Sequence, residues 1–121
     1  MKKLISAMFI LVSCFTTKAF SDGHAIKMGI ILGFTGPIES LTPAMAASAE
    51  LAFKEASDSG KLLGGKSIMI ERADSTCVDS AAATTAAEGL VSNGVLAIMG
   101  ADCSGVTGAI ATNVAVPNGV V

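Results

Sequence analysis

The stretch MGADCSGVTG, residues 99–108, gathers the side chains best suited to chemistry in this sequence: a carboxylate, a thiol and two hydroxyls, set between glycines. A second thiol, Cys77, stands upstream in ADSTCVDSAAA. Such residues suit either nucleophilic catalysis or the fixing of a small ligand. Catalysis by serine or cysteine needs a neighbouring base, and the only histidine, His24, lies in a polar segment near the start of the chain. An enzyme of this kind would need a histidine from outside this sequence.

The common enzyme motifs do not occur in the sequence. The glycines of GIILGFTG lie at positions 29, 33 and 36, which is not the GxGxxG spacing of a dinucleotide site. The GADCS segment lacks both the serine position and the closing glycine of a hydrolase elbow. Three aspartates, Asp74, Asp79 and Asp102, are too scattered for a metal site, and we interpret them as turn and cap residues. We predict no enzymatic activity, no cofactor and no bound metal.

The start of the chain has the pattern of a secretory signal peptide. Lys2 and Lys3 precede an apolar run at 4–12, and a small-x-small step ends at Ser21, after which we predict cleavage. The segment LVSC resembles a lipoprotein cleavage box, and in that alternative Cys14 would be lipidated at the mature N-terminus. A permanent membrane anchor is disfavoured because the apolar run is too short to span a bilayer.

Removing residues 1–21 changes the charge and the cysteine count. Residues 22–121 carry five basic and ten acidic side chains, a net charge of −5, which disfavours a nucleic-acid partner. Two cysteines remain, Cys77 and Cys103, and an even pair in an exported chain favours a disulfide over two buried free thiols. Closing that loop would stabilise the fold by about 3 to 3.5 kcal/mol.

Residues 22–121 predict one domain in which strands alternate with helices. Apolar runs predict buried strands at 26–34, 67–72 and 95–100 and the start of a fourth at 118–121. We predict helices from Thr42, as the cap before Pro43, to Gly60, at 79–94 with Asn93 and Gly94 closing it, and at 104–115. This order indicates an α/β fold with a doubly wound parallel sheet. Because the chain stops inside an apolar strand, we expect it to be the N-terminal part of a longer protein.

Ligands of open parallel sheets bind beyond the carboxyl ends of the strands. MGADCSGVTG lies at such an end and runs into a helix N-terminus, where backbone N–H groups attract an anion. We predict that it holds a carboxylate, with Ser104 adding a hydroxyl donor and Thr107 lying one turn further on. The alternative is that Asp102 or Ser104 only caps the helix.

With these strand ends identified, the sequence resembles the exported substrate-binding proteins of ABC transporters, specifically the branched-chain amino-acid (Leu/Ile/Val) family of the type I periplasmic-binding fold. The resemblance extends over about residues 26–121. Three segments carry it: IKMGIILGFTGPIESL, ADSTCVDSAAA and IMGADCSGVTGAIA. The resemblance implies two α/β lobes joined by a hinge, with the ligand in the cleft between them, and this sequence would be a partial N-terminal lobe.

The resemblance also implies roles for single residues. Ser104 stands where relatives receive the ligand carboxylate, and the disulfide of the family carries over to Cys77 and Cys103. Leu41 aligns with a position, commonly aromatic, that contacts the ligand side chain. Asp102 departs from the apolar residue found in relatives that bind aliphatic amino acids, and a carboxylate lining an apolar pocket would lose its hydration. Either Asp102 caps the helix, or the ligand is polar, such as an amide, a urea-like compound or a basic amino acid.

The function implied is that of a periplasmic solute-binding component of an ABC transporter. Its partners would be an amino acid or related small nitrogenous ligand and an inner-membrane ABC permease. The first alternative is an extracellular ligand-sensing domain of a receptor with the same fold, and a secreted α/β enzyme is the second.

Overall fold

The computed structural model describes residues 25–121, so the predicted signal peptide with Cys14, the cleavage site and His24 lie outside the described residues. Three parallel strands form one sheet in the order β2-β1-β3. Their bounds are Ile26–Leu32 for β1, Ile68–Asp74 for β2 and Ala97–Gly100 for β3. Each lies where the apolar runs predict it, with ends shifted by one or two residues.

The central strand is β1, and it pairs with strands that come much later in the chain. Ile26 lies opposite Ile68 of β2, and Met28 lies opposite Ala97 of β3. The predicted fourth strand is not formed. Only one backbone hydrogen bond marks its place, from the Ile98 amide to the Val121 carbonyl at 2.7 Å.

The helices follow the strands in alternation. They are α1 (Thr42–Asp58), α2 (Ser80–Ser92) and α3 (Ser104–Ile110), and α3 continues through a π-helical turn, Ala111–Ala115, into a last turn, α4 (Val116–Asn118). A short 3-10 turn, Leu62–Gly64, precedes β2. The predicted third helix therefore runs three residues further than the sequence pattern indicates.

Helix α2 begins and ends as its sequence predicts. The Asp79 carboxylate accepts hydrogen bonds from the amides of Ala81 and Ala82 at 2.9 and 3.0 Å, which caps the first turn. Asn93 follows the last turn, and Gly94 takes a left-handed φ of +84° that a residue with a Cβ adopts with strain.

Helix α1 begins differently from the prediction. Thr42 is its first residue rather than its cap, and Leu41 at the cap position makes no capping hydrogen bond. The buried side of α1 runs through Thr42 and Ala46, with Ala49 and Phe53 half-buried. The predicted apolar side also included Met45 and Ala52, which are exposed.

Helices cover both faces of the sheet, so the doubly wound α/β fold is confirmed. On one face Ile30 and Leu32 of β1 pack with Ala46 of α1. On the other face Ile31 packs with residues of α2, α3 and the π-helical turn, namely Ala83, Ala87, Leu90, Val106, Ile110 and Val114. Because β1 is central and covered on both sides, all of residues 29–32 are buried.

Candidate functional site

The carboxyl ends of the three strands lie along one edge of the sheet, where three connections leave for the helices. We name them the first connection (33–41, after β1), the second connection (75–79, after β2) and the third connection (101–103, after β3). All residues predicted from the sequence to bind the ligand or to form the disulfide lie in these connections or in the first turn of α3. The fold therefore brings them to a single edge, as the parallel order predicts.

A disulfide joins the second and third connections. The sulfurs of Cys77 and Cys103 are 2.01 Å apart, with their Cα atoms 5.2 Å apart. Thr76 and Cys77 take left-handed φ values of 57° and 69°, which is uncommon for residues other than glycine. The predicted pairing is confirmed, and the second connection turns tightly to make it.

The Asp102 carboxylate does not cap α3 and is hydrogen-bonded to the connections that follow β1 and β2. Its Oδ2 accepts a hydrogen bond from the Gly33 amide at 2.8 Å, and Ser75 Oγ donates to its Oδ1 over a longer 3.4 Å. The cap position of α3 is occupied by Cys103, which makes no capping hydrogen bond with its side chain. The interpretation of Asp102 as a cap is therefore wrong, because its carboxylate accepts hydrogen bonds from residues at the ends of β1 and β2 instead of from the amides of α3.

Gly33, the first residue after β1, is held on both sides of its backbone. Its amide donates to Asp102, and its carbonyl accepts from the buried hydroxyl of Thr42 at 3.1 Å. A Cβ at this position would lie 3.2 Å from the Cβ of Cys77 and 3.3 Å from Cγ1 of Ile38. The first connection thus packs closely against the second at Gly33, where a Cβ would be accommodated only if its neighbours moved by a few tenths of an ångström.

A second contact between these two connections involves Asp74, the last residue of β2. Its carboxylate accepts hydrogen bonds from Thr35 Oγ1 at 2.6 Å and from the Thr76 amide at 2.8 Å. Burial raises the pKa of this carboxyl, but the hydrogen bonds from Thr35 and Thr76 outweigh it and hold the pKa below its ordinary value. The charged form of Asp74 therefore stabilises this edge at neutral pH.

Ser104 and Thr107 lie where the prediction places them, in the first turn of α3. Ser104 is exposed and begins the helix, so the amides of residues 104–106 have no carbonyl one helical turn before them, whereas the Thr107 amide donates to the Cys103 carbonyl at 2.9 Å. Thr107 is half-buried, and its Oγ1 donates to the carbonyls of Ala101 and Cys103 at 3.1 and 2.9 Å. The Ser104 side chain is therefore accessible at this edge, whereas the Thr107 hydroxyl is bonded within the turn.

Two apolar side chains are exposed in the connections. Leu41, at the end of the first connection, is 60% exposed, and Val78, next to the disulfide in the second connection, is 73% exposed. Leu41 was a predicted site residue. Val78 was not, and its position after Cys77 on a tight turn is the signal that could have identified it.

Arg72 on β2 is the cation closest in sequence to the second connection, but it is paired elsewhere. Its guanidinium donates two hydrogen bonds to Glu50 of α1, at 2.5 and 2.8 Å, and lies 5.6 Å from the centre of the Phe34 ring. The hydrogen bond from Arg72 lowers the pKa of Glu50, and the same bond raises the pKa of Arg72. A carboxylate ligand at this edge would depend on hydroxyl and backbone donors rather than on this cation.

Three residues of the site were not identified from the sequence, because small and hydroxyl residues are common after strands and at helix starts. They are Ser75, Gly33 and Thr42, whose hydroxyl bonds the Gly33 carbonyl instead of capping α1. Ser75 and Thr42 are fully buried, and each directs its hydroxyl to a partner at the strand ends. A small hydroxyl residue directly after a predicted buried strand, as in ADST, is the signal available for Ser75.

Between residues 25 and 121 no group of three or more His, Cys, Asp or Glu side chains could hold a metal ion. Over the same range no helix is long and apolar enough to cross a membrane.

Comparison with known families gives one match, which covers all of the described residues. The family model described as periplasmic binding protein matches residues 25–121. No curated protein matches the sequence.

Three solved structures share the fold. One is the substrate-binding protein LivJ of a branched-chain amino acid transporter from Streptococcus pneumoniae, in complex with isoleucine. It is 30% identical to this chain with a TM-score of 0.70, and the alignment covers 79% of this chain and 27% of LivJ. An ABC transporter protein from Rhodopseudomonas palustris is 23% identical with a TM-score of 0.64, over 79% of this chain and 28% of its own, a likeness of fold alone. An extracellular ligand-binding receptor from Rhodopseudomonas palustris HaA2 is 28% identical with a TM-score of 0.56, and the alignment covers 79% of this chain and 25% of the receptor chain. The chain thus spans about a quarter of the length of these relatives.

Proposed function

The chain belongs to the periplasmic binding protein family, and on that premise we propose that it forms part of the N-terminal lobe of a solute-binding protein that delivers an amino acid to an ABC transporter. The ligand would lie on the edge formed by the three connections and would be enclosed by a second lobe. The bound protein would then dock on an inner-membrane ABC permease. Proteins of this family bind substrates for transporters and are not enzymes, so we expect no turnover at this edge.

The observation that carries the proposal is the geometry of the Ser104 turn. Ser104 is exposed at the start of α3, and the amides of residues 104–106 precede the first amide that pairs in this turn, that of Thr107 with the Cys103 carbonyl. The turn is fixed from below by Thr107 and tied to the second connection by the disulfide. A rigid set of neutral donors of this kind suits the carboxylate that all α-amino acids share.

The side chain of the ligand is proposed to be aliphatic. A polar or cationic ligand is the expectation if the Asp102 carboxylate lines the pocket, and the hydrogen bonds that this carboxylate accepts from Gly33 and Ser75 support the aliphatic alternative. Leu41 and Val78 also expose apolar surface at the same edge. That surface favours a branched or straight hydrocarbon side chain over an amide or a cation.

The cellular location is proposed from the family and from the leader. Substrate-binding proteins of ABC transporters act outside the cytoplasmic membrane, and residues 1–21 have the pattern of a signal peptide. We propose a periplasmic location for the mature protein, with an anchor at Cys14 as the alternative. The family match and the likeness to the transporter protein LivJ favour uptake over the sensing role of a receptor.

Calorimetric titration of the complete mature binding protein with a panel of amino acids tests the proposal. We expect leucine, isoleucine or valine to bind, and Ser104→Ala to weaken that binding about tenfold, because one hydrogen bond to a charged ligand is lost. Ser48→Ala is the matched control, since Ser48 is an exposed serine of α1 whose Oγ donates to its own helix at the Ala44 carbonyl. Absence of binding to every amino acid, or equal affinity of the Ser104 and Ser48 variants, would contradict the proposal.

A further inference from the structure

We propose that Asp102 is a positioning residue of the ligand site, which sets the first connection against the Ser104 turn. The inference rests on the proposed function, because the arrangement matters for affinity only if this edge binds the ligand. Asp102 does not touch the ligand in this proposal. It acts through the backbone of Gly33 and the hydroxyl of Ser75.

The first step is the place of Asp102 between the three strand ends. Its carboxylate receives the Gly33 amide at the end of β1 and the Ser75 hydroxyl at the end of β2, while its own backbone follows β3. It is half-buried, and Ser75 is completely buried. Asp102 therefore lies in the third connection, and its side chain contacts both of the other two.

No other bond described at this edge joins the first connection directly to the third. The disulfide joins Cys77 to Cys103, which are in the second and third connections. The hydrogen bonds of Thr35 with Asp74 join the first connection to the end of β2. Within residues 25–121, the bond between Gly33 and Asp102 is the hydrogen bond that joins the first connection directly to the third.

The position of Gly33 affects both the first connection and its distance from the Ser104 turn. Gly33 begins the connection that ends at Leu41, and its carbonyl is fixed to Thr42 at the start of α1. Asp102 stands two residues before Ser104. A shift of the Gly33 peptide relative to Asp102 is therefore a shift of the proposed side-chain wall relative to the proposed carboxylate donors, and displacements of about 1 Å are enough to weaken a preorganised site strongly.

The last step is the cost of removing the acceptor. A charge-assisted hydrogen bond from a backbone amide is stronger than a neutral one. An apolar side chain at position 102 would leave the Gly33 amide without its acceptor in a half-buried place, and the first connection would shift to reach water.

The experiment compares Asp102→Leu, Asp102→Asn and Ser57→Ala in the complete mature protein. Ser57→Ala is the matched control: Ser57 Oγ accepts a hydrogen bond from the Ile68 amide at 3.2 Å, so it too removes a side-chain acceptor of a strand-terminal amide, at the opposite edge of the sheet. Affinity for leucine, isoleucine and valine is measured by calorimetry. Thermal unfolding and the hydrogen exchange of the peptide spanning 33–41 are measured without ligand.

We expect Asp102→Leu to weaken amino-acid binding at least tenfold and to speed exchange in 33–41. Asp102→Asn keeps an oxygen acceptor without the charge, so we expect about threefold weaker binding. Ser57→Ala should lower the melting temperature and leave the affinity within about twofold, so that a loss of affinity cannot be ascribed to lowered stability alone.

Each other outcome has a defined meaning. If the unmodified protein binds an amino acid and Asp102→Leu binds it equally, the positioning role is refuted and the proposed function stands. If Asp102→Leu fails to fold, the affinity of Asp102→Asn tests the positioning role, and an unchanged affinity in that variant refutes it. If the unmodified protein binds no amino acid, the proposed function fails and the positioning role fails with it.

Discussion

Removing the disulfide should lower the stability of the mature chain by a predictable amount. Cys77 and Cys103 are 26 positions apart, and in the chain-entropy model a cross-link of that length contributes about 3.5 kcal/mol. Part of this is offset, because Thr76 and Cys77 are held at left-handed φ values that cost about 1 kcal/mol each and relax when the bond is absent. We expect a net loss between about 1.5 and 3.5 kcal/mol.

The assay is urea unfolding of the oxidised chain, of the same chain in reductant, and of the Cys77→Ala/Cys103→Ala double variant. Far-ultraviolet circular dichroism is the suitable signal, since the sequence contains no Trp or Tyr. Residues 22–121 contain no third cysteine, so the double variant should be insensitive to reductant. Unfolding midpoints that coincide for the oxidised and reduced chains, or two thiols that alkylate freely without reductant, would refute the reasoning.

Three further predictions concern the same edge and the core. Gly36→Ala should destabilise the chain by about 1 to 3 kcal/mol in urea unfolding, because φ is +96° there and a Cβ would lie 2.5 Å from the Thr76 carbonyl oxygen. Asp74→Asn should lower stability at neutral pH. Because the folded pKa of Asp74 lies below its ordinary value of 3.8, that difference should shrink as the pH falls through the lowered pKa. Leu90→Ala should cost about 2 to 5 kcal/mol by thermal or urea unfolding, since Leu90 is 3% exposed in the core.

Each of these has a control and a contradicting result. Gly60→Ala tests left-handed strain alone, because Gly60 has a φ of +63° and open space around its Cβ position; equal losses at Gly36 and Gly60 would exclude the close approach as the cause. Thr35→Val should reproduce part of the pH dependence of Asp74→Asn, and a difference that stays constant down to strong acid would contradict the assigned charge. Leu51→Ala, at a 57% exposed position of α1, should cost far less than Leu90→Ala.

The elements of the fold could be predicted because their signals are local. The apolar run of β1 predicts a strand covered on both faces, and Asp79 and Gly94 mark the ends of α2 through hydrogen bonding and backbone conformation that depend on neighbouring residues only. Met45 of α1 was misassigned because alanine is compatible with either side of a helix. The direction of the buried side is decided by Thr42, whose hydroxyl reaches the carbonyl of Gly33, a contact between elements that periodicity does not contain.

The site could be predicted as a set of connections but not as a network. Parallel strands place residues 33–41, 75–79 and 101–103 at one edge, and cysteine parity predicts the disulfide. The role of Asp102 could not be predicted, because a carboxylate directly before a helix is compatible with a cap, a ligand contact or a contact to a distant strand. Only the three-dimensional pairing of β1 with β3 brings Gly33 within 2.8 Å of it.

The central position of the first strand affects how the chain reaches its fold during synthesis. The partners of β1 in β3 are made 69 positions later, as Met28 pairs with Ala97. At about 5 to 20 residues per second, the apolar side chains of Ile30, Ile31 and Leu32 wait on the order of 3 to 14 s before β3 has been made. A newly made chain of this kind exposes its most apolar strand earliest and buries it late, so we expect it to be a client of chaperones at least until β3 and α3 have been synthesised and, if it is exported as proposed, until it has crossed the membrane.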